Sequence, residues 1–494
     1  MVLVQDANQR IANKWLFTKY DQLNRPVVTG FYTDPTHTTQ SNMQNYLTTQ
    51  NMGRYETYNP GIVERYSLNN SFPLATLSNL LTVTFYDDYD WTGWHGSSWG
   101  DIDNRFDSYL LNPSTTAYPY AEPVTRSVNT RGLKTGIWQT NVTNGPVTTY
   151  IYDQKGRVVQ TKSFNITGAR DITTTQYNFN GQPLIVVYYQ DKQGTNPQTH
   201  TLVTRMEYDE LGRLLTTQKT VNTTINNQSR SKPEQVIAAN EYDALGQLKK
   251  KALAPAGGVG RTPLETLEYD YNIRGWSLGM NRSYLETPSQ LNHWFAYELA
   301  YDKTSNSKGY YTWFWNTQFS GNITGTLWKS RGDGMPRKYD FTYDAANRLT
   351  GADFNQQNGQ GWDKSDGLDF TVSNLSYDAN GNILRMDQKG WKPGGSNTID
   401  NLFYAYHKQG YSNRLKNVWD KTNDTETKLG DFRSSSTYMT ALGGTKNENA
   451  TDYQYDLNGN LKKDLNKDIY DPSLEAIEYN HLNLPVKIRV KNKE

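Results

Sequence analysis

Between residues 202 and 208 the chain alternates: Leu202, Thr204, Met206 and Tyr208 fall on one face, Val203, Arg205 and Glu207 on the other. That two-residue period is the signature of a strand with one drier and one wetter side. Runs such as "PLIVVYYQ", "RVVQTK" and "RLLTTQKT" add the β-branched and aromatic bias of strands. Helical periodicity is scarce, and its best window is the short "PLATLSNLL" around Leu77. The pattern predicts an all-β protein.

Between these runs a short frame recurs, Y-[D/N]-x-x-[G/N]-x. It opens at Tyr20, Tyr152, Tyr177, Tyr208, Tyr242, Tyr343, Tyr377, Tyr455 and Tyr479. Its second residue is always Asp or Asn. Its fifth is Asn24, Gly156, Gly181, Gly212, Gly246, Asn347, Gly381, Gly459 or Asn483. Gly and Asn are the residues that enter the left-handed region most cheaply. An acceptor side chain followed three residues later by a left-handed residue describes a type I turn closing a three-residue hairpin loop with a G1 bulge. Each frame therefore predicts a β-hairpin, with its tyrosine on the strand beside the turn and its ring lying across a neighbouring strand. Altered frames near Tyr269, Tyr301 and Tyr406 predict longer or irregular loops. Spacings of roughly 25 to 50 residues are those of stacked supersecondary repeats.

Composition sharpens this picture. Apolar residues are only 35% of the 494 and mean hydropathy is −0.82, yet aromatics reach 13%, with 36 tyrosines and 13 tryptophans. Disordered chains are poor in aromatics, so the low hydropathy points to sheet with extensive wetted faces. Lys and Arg number 51 against 50 Asp and Glu, a net charge of +1 that gives no global field for nucleic acid. The absence of cysteine rules out disulfides and thiolate metal sites. No stretch approaches ~18 consecutive apolar residues, so no membrane span is expected, and residues 1–30 carry no Sec-type signal.

The Y-D-x-x-G-R-L frame resembles the YD repeat of the rearrangement hotspot (Rhs) family, to which shell components of insecticidal Tc toxins and the teneurins are also similar. Residues from about 145 to 494 carry the frame. The earlier "WLFTKYDQLNRPVVTGFY", "LTVTFYDDYDW" and "TRGLKTGIWQT" resemble the lead-in region of Rhs proteins from Bacteroidota. The resemblance implies an N-terminal lead-in over residues 1–130 and a YD-repeat segment over 131–494, built as a curved, spiralling β-sheet wall. It further implies a secreted or cell-surface protein that encloses or displays a C-terminal, toxin-like polypeptide. The partner would be that cargo or the remaining part of the same chain, with glycans and export machinery as further candidates. The family's plug and self-cleavage region is not found: Asp34-Pro35 and Asp471-Pro472 are the only Asp-Pro pairs, and neither has the Asp-Pro-x-Gly setting.

Other chemistry competes with this reading. "GSSWG" matches the G-x-S-x-G elbow with Ser98 as a hydrolase nucleophile, but its flanks "YDDYDWTGWH" and "DIDNRFD" suit neither the strand nor the helix that such an elbow needs. Trp91, Trp94 and Trp99 crowd one segment and Trp313 and Trp315 alternate in another, which would suit a carbohydrate-binding adhesin if the rings are exposed and packing if they are not. Asp87, Asp88, Asp90, Asp101 and Asp103 gather carboxylates without the glycine of a calcium loop, Phe106 standing in its place. Six scattered histidines form no zinc pair, and Arg331-Gly332-Asp333 is a tripeptide common by chance. The expectation is a non-enzymatic structural wall with no cofactor, and the adhesin and the Ser98 hydrolase are its rivals.

Overall fold

The computed structural model describes every residue except 1, 113–119, 141–144, 255–261, 287–292, 303–313, 315–316, 360, 423–429 and 492–494, together with the side chains of Trp94, His95 and Ser97. Strand makes up 47% and helix 11%, so the protein is all-β. Of 28 strands among the described residues, 24 lie in antiparallel sheet and the last four form two separate two-stranded ladders. The chain divides into two compact units: residues 1–241 with 251–264, and residues 242–250 with 265–494.

The first unit is a meander in which each strand pairs with the next in sequence, from Val2–Val4 through Lys14–Tyr20 and Pro26–Thr33 to the long strands Gln198–Tyr208 and Leu214–Ile225. The lead-in boundary at residue 130 is no break in this sheet, because Leu80–Tyr86 pairs with Lys134–Gln139, Val83 opposite Trp138. Two excursions cover part of one face. Residues 34–79 contain the helix Gln40–Thr49 and the 3₁₀ turn Leu77–Asn79, where sequence periodicity suggests a helix only at the latter. The other, residues 88–132, runs through 3₁₀ turns at Asp90–His95, Ser97–Gly100 and Asn104–Tyr109. Beneath them Phe17, Val28, Val83, Phe85 and Trp91 form one core, and Phe106, Ile172, Ile185, Val187 and Val203 another. The cover thins over the later strands: Val203 alone is buried in Gln198–Tyr208, and Leu214–Ile225 buries no residue, its Asn222 amide reaching only the Tyr109 hydroxyl of the second excursion at 3.0 Å. These are the wetted faces that composition implies.

Glutamines hold the second excursion down. Gln160, buried on the sheet, accepts from the Asp103 N–H at 2.8 Å and donates to the Asp103 carbonyl at 3.1 Å. Gln176 does the same for Leu111, at 2.8 Å in both directions. Each amide presents a donor and an acceptor to the excursion's backbone and so substitutes for a missing strand neighbour, its second N–H going to the Thr174 hydroxyl from Gln160 and to the Glu122 carbonyl from Gln176. A buried ion pair anchors the first excursion: Lys19 Nζ meets Glu56 at 2.8 Å with both side chains fully enclosed. Glu56 is also bonded by the Ser71 N–H and hydroxyl and by the Ser67 hydroxyl.

In the second unit the meander continues from Glu265–Tyr271 to Leu415–Asp420. Its core gathers Tyr284 and Leu285 of the helix Arg282–Glu286 against Ala296, Ala300, Phe314 and Leu327. The chain ends in two hairpins, Tyr453–Tyr455 with Leu461–Asp464 and Ile477–Tyr479 with Pro485–Ile488.

Candidate functional site

All nine frames form the expected turn. In the frame at Tyr208 the Asp209 N–H donates to the Arg213 carbonyl at 2.9 Å, and the Gly212 N–H returns to the Asp209 carbonyl at 2.9 Å. The Asp209 carboxylate accepts from the backbone of Leu211 and Arg213 and from the Arg213 guanidinium. These backbone and guanidinium donors hold Asp209 below the ordinary carboxylate range. The fifth position has positive φ throughout, from 58° at Asn483 to 95° at Gly459. A tenth frame escapes the alignment on Tyr269. It opens two residues later at Tyr271, where Asn272 and Gly275 close the regular turn at 2.9 Å and Gly275 has φ 78°. The "YDDYDW" segment is an eleventh frame opened by an insertion: Asp87 closes onto the carbonyl of Leu133 at 3.1 Å after the whole second excursion.

The frames are joined sideways by their tyrosines. Within the first unit the Tyr86 hydroxyl donates to the Pro26 carbonyl at 3.1 Å, Tyr152 to Lys134 at 2.7 Å, Tyr177 to Val158 at 3.1 Å and Tyr208 to Pro183 at 3.0 Å. In the second unit Tyr271 reaches Leu248, Tyr301 reaches Ser277, Tyr377 reaches Leu349, Tyr406 reaches Ile383 and Tyr479 reaches Leu461. In the regular frames the acceptor is the seventh residue of the preceding frame. Burial raises the hydroxyls of Tyr208, Tyr343 and Tyr406 above the ordinary phenol range, which keeps them protonated donors.

The sixth residue completes the join. Arg157 is bound to Asp153 of its own frame, donates to the Asn178 carbonyl of the next at 3.0 Å, and lies 4.9 Å from the Tyr177 ring centre. Arg348 repeats this with Asp344, the Asp378 carbonyl and Tyr377. Where the sixth residue is Trp276, its ring packs against Tyr301 at 5.2 Å. Tyrosine, acid and arginine thus act as one hairpin-to-hairpin clamp, whose cation–π and hydrogen-bonded parts are each worth about 1 kcal/mol.

The tryptophan platform is corrected in part. Trp91 and Trp99 are buried at 1% and 2% exposure, Trp91 stacked on Phe85 at 4.2 Å and Trp99 on Phe164 at 4.3 Å. Neither presents a face to a sugar, because the excursion that carries them turns its rings onto a sheet short of aliphatic residues. The side chain of Trp94, and Trp313 and Trp315, lie outside the described residues. Ser98 sits in a 3₁₀ turn that follows another 3₁₀ turn, not at a strand-to-helix elbow, and its carbonyl accepts from Lys162 Nζ at 2.9 Å. Burial lowers Lys162 to about 8. Three of the five early aspartates are matched by arginines: Asp87 by Arg25, Asp101 by Arg126 and Asp103 by Arg105. In Arg331-Gly332-Asp333 the carboxylate is engaged by Arg337.

One acidic group escaped sequence reading. Asp400, Asp420 and Asp431 bring carboxylate oxygens within 4.8 Å of one another, an oxygen set of the kind hard cations use. Burial first, and then Asp420 and Asp431, raise Asp400 to about 6. Much of their bonding capacity is engaged locally: Asp400 accepts from the Phe432 N–H at 2.8 Å, Asp420 from the N–H groups of Asn401 and Thr422, and Asp431 pairs with Arg433. Beside them lies a cavity of about 660 Å³ lined by Trp419, Phe432 and Lys446. Lys446 Nζ is saturated by the Val418 carbonyl, Asp452 and Asn466. The residues are more than ten positions apart in separate segments, and no local signal marks them. Among the described residues no helix is long and apolar enough to cross a membrane. Compared with protein-family models and with curated proteins, the chain matches none.

Proposed function

We propose that this chain is a structural, non-enzymatic wall of the Rhs type, belonging to a secreted or surface protein that houses or displays another polypeptide. The observation that carries the reading is the clamp. The residues that recur, tyrosine at the first position and Asp or Asn at the second, meet the neighbouring hairpin's backbone or their own frame's sixth residue, which is Arg in four of the nine frames and at Arg157 also bonds the next hairpin. A repeat selected for catalysis or ligand binding would aim its recurring side chains at a substrate, whereas this one aims them at the next repeat. The buried state of Trp91 and Trp99 weighs against the adhesin, and the 3₁₀ setting of Ser98 against the hydrolase.

Limited proteolysis of the protein isolated from its source, followed by mass spectrometry, tests the proposal. The repeats are expected to resist as a block and to retain a second polypeptide that is cleaved only after the block is denatured. Absence of any retained polypeptide, or Ser98-dependent labelling by a serine-reactive phosphonate, overturns it.

A further inference from the structure

Lys446, Asp452 and Asn466 form a closed triangle in the second unit. Lys446 Nζ lies 2.6 Å from Asn466 Oδ1 and 2.7 Å from Asp452 Oδ2, and the same carboxylate oxygen accepts from Asn466 Nδ2 at 3.0 Å. All three side chains are enclosed, Lys446 at 6% exposure, Asp452 at 0% and Asn466 at 2%. They come from three separate places: the loop after the helix Ser436–Ala441, the residue before the strand Tyr453–Tyr455, and the 3₁₀ turn Leu465–Lys467.

An amine, a carboxamide and a shared carboxylate are the parts of an amide-exchange reaction. One C=O bond of about 1.2 Å separates Asn466 Oδ1 from its carbon, so Nζ is at most about 3.8 Å from Cγ, near the range of attack. The rings of Phe432 and Tyr438 each lie 5.6 Å from Nζ. Burial holds Lys446 below the ordinary amine range against the pull of Asp452, the condition in which a lysine becomes a nucleophile. The Ser434 hydroxyl donates to Asn466 Oδ1 at 2.7 Å, where negative charge would develop during attack. Asp452 touches both the nitrogen that would attack and the nitrogen that would leave, the place of a proton carrier. Its own position is fixed by the Tyr438 hydroxyl at 3.1 Å and the Val418 N–H at 2.9 Å.

We propose that Lys446 and Asn466 join in an intramolecular isopeptide bond, with Asp452 as the catalytic proton carrier. Lys446 Nζ first passes a proton to Asp452 and becomes a neutral amine. Its lone pair forms the Nζ–Cγ bond, and the carbonyl electron pair moves onto Oδ1 beside Ser434. Asp452 then delivers its proton to Nδ2 and takes a second one from Nζ. The Oδ1 electron pair re-forms the carbonyl, and the Cγ–Nδ2 bond breaks, its electron pair leaving with ammonia. Ammonia takes the last proton from Asp452, so a lysine ammonium and an asparagine amide become an amide and an ammonium ion, and no outside reactant is consumed. The product ties the chain from residue 446 to 466 around the hairpin of Tyr453–Tyr455 and Leu461–Asp464, a covalent clip in a protein without cysteine. It stands whether or not the chain houses another polypeptide.

Intact-mass spectrometry of the denatured full chain, followed by tryptic mapping, tests the bond. The mass is expected about 17 Da below that of the sequence, the loss of one ammonia. Residues 434–462 should appear as one peptide carrying residues 464–467 through the new amide, because trypsin does not cut after an acylated Lys446. Lys446→Arg keeps the charge but offers no neutral amine and should restore the sequence mass. Asp452→Asn keeps acceptors for Tyr438 and Val418 and, with a circular dichroism spectrum like the parent's, should remain unjoined. The unaltered chain decides the bond without any variant having to fold. An unaltered chain at its full sequence mass with a free peptide ending at Lys446, a mass loss that persists in Lys446→Arg, or a joined product in Asp452→Asn overturns the proposal.

Discussion

The Tyr377 hydroxyl donates to the Leu349 carbonyl at 2.6 Å across 28 residues of sequence. Tyr377 opens one hairpin and Leu349 follows the turn of the hairpin before it. This one bond states why the frame begins with tyrosine: phenylalanine would fill the same space but leave the carbonyl without its donor.

Tyr377→Phe should therefore cost about 1 kcal/mol, the net worth of one partly buried hydrogen bond. Tyr377→Ala, which also removes the ring under Arg348, should cost roughly 3 kcal/mol. Tyr20 opens the first frame, and no clamp to a preceding frame is described for it, so Tyr20→Phe should be close to neutral. Urea unfolding of the three variants checks this, and equal losses for Tyr20→Phe and Tyr377→Phe would refute the clamp.

The turn position is best probed at Gly381, where φ is 85° and a Cβ would meet nothing within 4 Å. Any loss there reports backbone strain alone. Gly381→Val should cost on the order of 1–2 kcal/mol and Gly381→Asn much less, since Asn24, Asn347 and Asn483 already adopt the same conformation. Gly212 is a poorer test, because a Cβ there would sit 2.9 Å from Gln182 Nε2. Thermal melts ranking Val equal to Asn at Gly381 would contradict the turn geometry.

Asp400 sets a pH dependence. Its folded pKa of about 6 lies above its unfolded value near 3.8, so between those values the native state holds a proton that the unfolded state has released. Stability falls as pH rises through this window and levels off above about 6, by on the order of 3 kcal/mol. Asp400→Asn keeps an acceptor for the Phe432 N–H and removes the charge. It should stabilise the protein at pH 7 and leave it unchanged near pH 3.5, measured by urea unfolding at both. A variant with no gain at pH 7 would show that the carboxylate is not a burden there.

The Lys19–Glu56 pair should behave as a buried ion pair does. Lys19→Met leaves Glu56 enclosed without its cation and should cost roughly 3–5 kcal/mol. Because Glu56 also fastens Ser67 and Ser71, the loss should open residues 55–75 to protease before the rest of the first unit. Time-resolved proteolysis with mass spectrometry reads the order of cleavage, and simultaneous loss of the whole unit would count against a local anchor.

What the sequence by itself determined is the hairpin. A turn depends on the φ and ψ of a few neighbouring residues, and at Asn24, Gly156 or Asn483 the residue type alone limits those angles. The tenth frame, at Tyr271-Asn272, is legible too, although Tyr269-Asp270 offers a competing Tyr-Asp pair two residues earlier. Strand alternation and low hydropathy likewise announced a sheet with wet faces. Only the tertiary structure decided which side chains serve the frame's neighbours. The clamp from Tyr377 to Leu349, the glutamine hold of Gln176 on Leu111, the burial of Trp91 over Phe85 and the meeting of Asp400 with Asp420 and Asp431 all join segments far apart in the chain. Such contacts depend on how strands pair and where excursions return, and no local preference encodes that.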